Sequence, residues 1–140
     1  MSGVSQLAVE LILARQLADG LAVPVLIVDA AGDTLFYNES AEAIFMRRFD
    51  EIDALPFEVR TAAIAPRAED GSPIPPHELP GMIAMRTRRP AHADFHLRGF
   101  DGVMRAVEAT AVPLESAGGH VLGAFVVLWV REHHAHEGGS

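Results

Sequence analysis

The chain has 140 residues, 49% of them hydrophobic, which is the size of one domain with enough apolar material to fill a core. It contains no cysteine, which excludes a disulfide scaffold, a thiolate metal site, a cysteine nucleophile and any cysteinyl–cofactor adduct. The formal net charge is -8 and all 11 basic residues are arginine, so lysine chemistry is excluded and non-specific nucleic-acid binding, which rests on phosphate contacts, is disfavoured.

The first residues, Met1-Ser2-Gly3-Val4-Ser5-Gln6, lack the basic region of a signal peptide, and Glu10 and Arg15 interrupt the apolar stretch behind them. No run of about 18 apolar residues is present, so neither a transmembrane helix nor a membrane partner is expected. The expectation is a cytoplasmic protein.

Residues 4–21 read as an amphipathic helix. Val4, Leu7, Leu11, Ala14, Ala18 and Leu21 recur at alternating spacings of 3 and 4, a heptad seam of about two and a half repeats, and Gly20 stops the helix. Residues 24–30 form an apolar strand, Ala31-Gly32-Asp33 a turn, and residues 34–37 a second strand, so the pair reads as a hairpin. Asn38 or Ser40 caps a helix from about Ala41. Residues 50–80 are rich in proline and read as loops and short helices, with a turn at Asp70-Gly71-Ser72. A further helix follows Pro75-Pro76, carries Leu79, Met82, Ile83 and Met85, and ends before Pro90. The arginines at 86, 88 and 89 read as its solvated end, where they complement the helix dipole.

Three strands complete the chain. Residues 91–98 alternate, with Ala91, Ala93, Phe95 and Leu97 on one face and His92, Asp94, His96 and Arg98 on the other. Residues 103–112 form a long strand closed by Pro113, and residues 120–130 form a strand that is apolar on both faces. Residues 1–21 are thus an N-terminal amphipathic helix, residues 22–131 one domain and residues 132–140 a disordered tail. The fold class is α+β: a five-stranded antiparallel sheet with helices on one face, preceded by that helix.

Several segments resemble the PAS domains of bacterial signalling proteins, in the right order from about Leu21 to Val130. They are Pro24-Val25-x-x-Val28-Asp29-x-x-Gly32 with Phe36-Tyr37-Asn38-x-x-Ala41; Glu69-Asp70-Gly71-Ser72-Pro73-Ile74-Pro75-Pro76; and Asp101-Gly102-x-x-Arg105 with Val112-Pro113-Leu114 and Gly118-Gly119-His120-Val121-Leu122-Gly123-Ala124. The resemblance implies a non-enzymatic sensory or adaptor module with a pocket between the sheet and the middle helices. Phe95, Leu97, Val107, Ala109, Gly123 and Phe125 would face that pocket from the sheet, and Met82, Ile83 and Met85 from the helical side. Such a lining suits a small apolar or aromatic ligand; the same residues would also serve a pure dimerisation module with a filled core. The absence of cysteine rules out the covalent flavin and coumaric-acid chromophores of the family.

By the same parity Leu122, Ala124, Val126, Leu128 and Val130 fall on the opposite face of the sheet, with Val25 and Ile27. The N-terminal helix, through Leu7, Leu11, Ala14 and Ala18, is expected to lie across this face and share it with a second chain. A homodimer is therefore expected, with Leu122, Val126 and Leu128 completing the contact. The sequence carries no kinase, cyclase or DNA-binding segment, so the chain is expected to act by self-association or through a separate signalling protein.

Other chemistry is sparse. His77, at the start of the helix after Pro75-Pro76, is the one candidate for haem ligation, a role some PAS domains give to a histidine; the simpler reading is a solvated side chain. No cofactor is identified. His92 and His96 are about 13 Å apart on one strand and cannot share a metal. His133, His134 and His136 lie in the tail and offer no preformed site. No Gly-x-Ser-x-Gly, His-Glu-x-x-His or phosphate loop occurs. A small α+β cone-shaped enzyme acting on an apolar molecule is the alternative; such enzymes bury an Asp–His pair in the pocket, whereas Asp94 and its neighbouring histidines fall on the polar face.

Overall fold

The computed structural model describes residues 2–53 and 66–131. Its centre is a five-stranded antiparallel sheet of order β2-β1-β5-β4-β3, made of β1 (Val25–Asp29), β2 (Thr34–Tyr37), β3 (Ala91–Arg98), β4 (Met104–Glu115) and β5 (Val121–Val130). Helix α1 spans Ser2–Asp19. Between β2 and β3 lie a 3-10 turn at Glu39–Ala41, α2 (Glu42–Phe45), α3 (Phe49–Asp53), a 3-10 turn at Pro76–Glu78 and α4 (Pro80–Thr87). No helix among the described residues is long and apolar enough to cross a membrane.

Local chemistry explains these boundaries. In the β1–β2 turn Asp29 Oδ1 accepts the N–H groups of Ala31 and Asp33, and Gly32 takes φ +94°, a conformation open to glycine at no steric cost. Pro80 stands at the first position of α4, where its missing N–H removes no hydrogen bond. One expectation fails at β4. Pro113 does not close this strand; it pairs with Ala124, and the strand runs on to Glu115. β3 begins opposite Ala111, so β4 is paired on one side only beyond that point, where a strand tolerates proline.

Asn38 does more than cap. It is 2% exposed, and its Oδ1 accepts the N–H of Val25 at 3.0 Å and of Ala41 at 3.1 Å. Its Nδ2 donates to the carbonyls of Ala18 and Val23, both at 2.9 Å. One side chain thus ties the end of α1, the start of β1 and the first turn after β2.

The register sorts the sheet into two faces. Ile27 pairs with Phe36 and Phe125, and Val25 with Val127; these side chains form the outer face, where α1 packs on β1 and β5 with Ala14 and Ala18 buried. Leu26 pairs with Val126, Val28 with Ala124, Ala109 with Leu128 and Phe95 with Val107; these form the inner face, on which α4 packs over β4 and β5.

This corrects the expected parity of β5. Phe125 belongs to the outer face, while Val126 and Leu128 belong to the inner one and are buried there, as Leu122 is buried at the start of the strand. None of the three offers a surface to a second chain. Gly123 faces no pocket; a Cβ at that position would run into the backbone of Val28, so glycine there permits β1 and β5 to approach. β5 is apolar at almost every position, and a one-residue slip exchanges its faces without changing its hydrophobicity.

The α1 seam faces the outer side of the chain's own sheet, and the residues it leaves for a second chain differ from those expected. Ala14 and Ala18 are buried and Leu11 is half-buried against the chain's own sheet, whereas Ile12 (53%), Leu13 (58%) and Leu17 (58%) are exposed. Leu7 falls outside the residues whose side chains are described, and so does the tail from residue 132.

Candidate functional site

The inner face holds a cavity of about 320 Å³, at the small end of the range for ligand pockets. Its floor is Leu26 and Val28 of β1, Val126 and Leu128 of β5, and Phe95 and Leu97 of β3. Phe45, Pro66 and Ile74 close it from the connecting segments, and Leu79, Pro80, Gly81 and Met82 from the start of α4. The β1–β2 turn, with Ala31, Gly32, Asp33 and Thr34, forms one end.

The sheet positions these groups by alternation, and the short middle elements complete them. Pro66 and Ile74 are held because Arg67 exchanges backbone hydrogen bonds with His96 of the β3 edge, and Ile74 N–H donates to the Pro66 carbonyl. Phe45 is fully buried against Tyr37, with ring centroids 4.6 Å apart. Tyr37 in turn donates its hydroxyl to the Arg47 carbonyl at 2.6 Å; burial raises its pKa above the usual phenol value, and Glu42 and Glu51 add to the rise.

Of the residues expected at the pocket, Phe95, Leu97 and Met82 line the cavity. Val107 and Ala109 are on the same face but lie fully buried in the core. Met85 is buried in the core and Ile83 half-buried, both off the lining. Phe125 and Gly123 are on other surfaces, as described above. Sequence reading missed Leu26, Val28, Val126 and Leu128, whose parity was the only available signal, and Phe45, whose place depends on a chain reversal at Met46 (φ 59°) that no local pattern announces.

His77 does not line the cavity; it stands exposed in the turn before α4, 3.8 Å from the Glu78 carboxylate. A histidine there cannot place a haem in the pocket. On the outer face, His92, Asp94 and Glu108 bring ligand-type atoms within 4.8 Å of one another. Glu108 pairs with Asp94 across β3 and β4, and Thr110 Oγ1 lies 2.9 Å from His92 Nδ1. Arg131 lies against both carboxylates, 3.4 Å from Asp94 and 3.8 Å from Glu108, and supplies the counter-charge that a metal would otherwise bring. The cluster therefore reads as a solvated ion-pair network. Near the β3–β4 turn, Arg105 bonds Asp101 through both guanidinium nitrogens, at 2.9 and 3.2 Å, and this hydrogen bonding holds the Asp101 carboxyl at about 2.

The PAS domain of Bordetella pertussis BvgS superposes with a TM-score of 0.59 over 91% of this chain and 90% of that one, at 19% identity. A PAS domain from a two-component sensor histidine kinase gives 0.59 over 89% and 98%, at 13% identity. The fold is that of a PAS domain. A LOV protein of Rhodobacter sphaeroides superposes with a TM-score of 0.63 over 91% of this chain and 70% of that one, at 10% identity. No protein-family model and no curated protein matches the chain. At these identities the likeness establishes the PAS fold and leaves the role of the cavity to its own chemistry.

Proposed function

We propose that this PAS domain is a non-enzymatic, cytoplasmic sensory module that binds a small apolar or aromatic molecule in its inner cavity and passes the signal on through a second copy or a separate signalling protein. The observation that carries the reading is the cavity itself. Close-packed cores leave few voids larger than a water, and a space of about 320 Å³ walled by Leu26, Phe45, Phe95, Leu97 and Leu128 suits an apolar guest. Dimerisation is supported by the exposed side of α1, where Ile12, Leu13 and Leu17 stand in solvent on the helix that covers the outer face of the sheet. A symmetric pairing of two such helices would bury all three residues in each copy.

Native mass spectrometry of the purified chain tests the ligand. A retained small molecule is expected, lost in Leu128→Trp, which fills the cavity from its floor. A ligand-free chain whose mass and stability do not respond to any added apolar compound would overturn the reading. Light scattering at tens of micromolar tests the pairing, with a dimer expected and a monomer overturning that part alone.

A further inference from the structure

Helix α4 meets the cavity with one end and the β4–β5 hairpin with the other. Pro80, Gly81 and Met82 of its first turn line the cavity. At its far end the chain leaves through Arg88, which takes φ 58° and ψ 34°. That left-handed conformation suits glycine, which ends helices this way at no steric cost. An arginine there is strained, and strain that persists points to a use for the side chain. The side chain reaches the loop between β4 and β5. Arg88 Nη1 donates to the Gly119 carbonyl at 2.8 Å and lies 3.6 Å from Oε2 of Glu115, the last residue of β4.

The loop is closed by its own bonds. Ser116 N–H donates to the His120 carbonyl at 2.8 Å, and Gly119 N–H to the Ser116 carbonyl at 2.9 Å. Ser116 Oγ accepts the N–H groups of Gly118 and His120. So tied, residues 116–120 respond to a pull as one body. A second outside bond comes from the other face of the sheet: Ala117 N–H donates to Glu10 Oε2 at 3.0 Å. Glu10 belongs to α1, one turn before the buried Ala14. The loop is thus held by α4 on the inner face and by α1 on the outer one.

We propose that this loop couples the cavity to α1: a guest that lifts α4 draws Arg88 and the loop with it, and the loop loosens its hold on Glu10. The inference takes its guest from the reading of the cavity as a ligand site; the route through Arg88 and Glu10 stands on the bonds themselves. Coupling between two sites is reciprocal. If filling the cavity loosens Glu10, removing the Glu10 bond favours filling the cavity by the same factor. Each tie is one hydrogen bond of small net worth, so the coupling is a few-fold.

The full chain tests this with a neutral apolar fluorophore, N-phenyl-1-naphthylamine. Glu10→Ala, across the sheet from the cavity, is expected to raise the affinity about threefold. Arg88→Gly keeps the left-handed turn, cuts the other tie and is expected to raise it by the same factor, and the double variant by no more than either. Glu10→Gln keeps an acceptor for Ala117 and is expected to keep the native affinity. An unchanged affinity in Glu10→Ala, an equal rise in Glu10→Gln, or effects that multiply in the double variant overturn the route through the loop. With binding undiminished in Leu128→Trp, or no binding up to the solubility limit of the probe, the ligand-site reading fails and hydrogen exchange decides the route alone. Leu128→Trp fills the cavity from its floor and is expected to speed exchange of the amides of residues 10–19 about threefold, and to lose that effect when combined with Arg88→Gly. Equal speeding in both backgrounds, or none in either, overturns the coupling. Should Leu128→Trp fail to fold, Leu26→Phe fills the same cavity from β1.

Discussion

The two faces of this sheet are built from the same kinds of residue and end in opposite states. On the outer face α1 presents Ala14 and Ala18, both buried, to β1 and β5. Small side chains let a helix lie close to a sheet, and Val25 and Ile27 are left at 0% and 2% exposure. On the inner face α4 has only eight residues. Its Gly81, Ala84 and Met85 cover β4 and β5 tightly, but a helix of about 12 Å cannot span five strands. The remainder is roofed by proline-rich connections, and the cavity opens beside the first turn of the helix. A sheet face closes when one long helix with small residues at its seam covers it, and stays open when a short helix shares the task with loops.

The largest effect should come from breaking the closed face at its corner. Asn38→Ala leaves the N–H groups of Val25 and Ala41 and the carbonyls of Ala18 and Val23 without their partner. Each unsatisfied buried group costs about 1–3 kcal/mol, so a loss of roughly 3–5 kcal/mol is expected in urea unfolding, with α1 freed from the sheet. A loss under about 1 kcal/mol would show that α1 docks by apolar contact alone.

A pair of truncations in β5 separates the faces. Phe125→Ala removes a ring from beneath α1 and is expected to cost about 3–5 kcal/mol. Leu128→Ala, in the cavity floor, is expected to cost about 2–5 kcal/mol and to enlarge the cavity. The discriminating measurement is ligand affinity: Phe125→Ala should leave it unchanged and Leu128→Ala should alter it. If both change it alike, the two faces are not independent.

That pair also marks where the sequence could be read and where it could not. β3 shows polar–apolar alternation, so its faces follow from the residue order, and Phe95 and Leu97 fall on the cavity side as that order implies. The hairpin is equally plain, because Gly32 turns it; the cap that follows was open between Asn38 and Ser40, and Asn38 provides it. In β5 every register is apolar, and only the pairing of Val126 with Leu26 and of Phe125 with Ile27 decides which side each residue serves. The α1 seam was legible, and so was the sheet face it covers, but the heptad pattern did not show that its alanines serve the chain's own sheet while Ile12, Leu13 and Leu17 are left exposed.

The exposed side of α1 gives a smaller effect on stability. Leu13→Glu and Leu17→Glu stand in solvent in the single chain and should change its unfolding free energy by no more than about 0.5 kcal/mol. If two copies pair through this helix, the same variants should convert a dimer to a monomer in light scattering. A stability loss above about 1.5 kcal/mol at a concentration where the native chain is monomeric would mean that these leucines pack inside the protomer.

The smallest effect lies farthest from both faces, at the β3–β4 turn. The Asp101 carboxyl ionises at about 2 in the folded chain, against 3.8 for the free group, chiefly because Arg105 hydrogen-bonds it. The folded value is depressed, so the unfolded chain binds more protons between these two values. The contribution of this pair is therefore fully present above about pH 4 and is lost as pH falls from there through 2. Asp101→Asn keeps an acceptor for the Val103 N–H, which donates to Asp101 Oδ1 at 3.2 Å, and removes only the charge. Its unfolding free energy should fall less steeply than that of the native chain between pH 4 and pH 2, and its cavity should bind ligand as before. Parallel acid limbs in the two proteins would show that solvent screens the pair completely and that the turn is held by its backbone bonds alone.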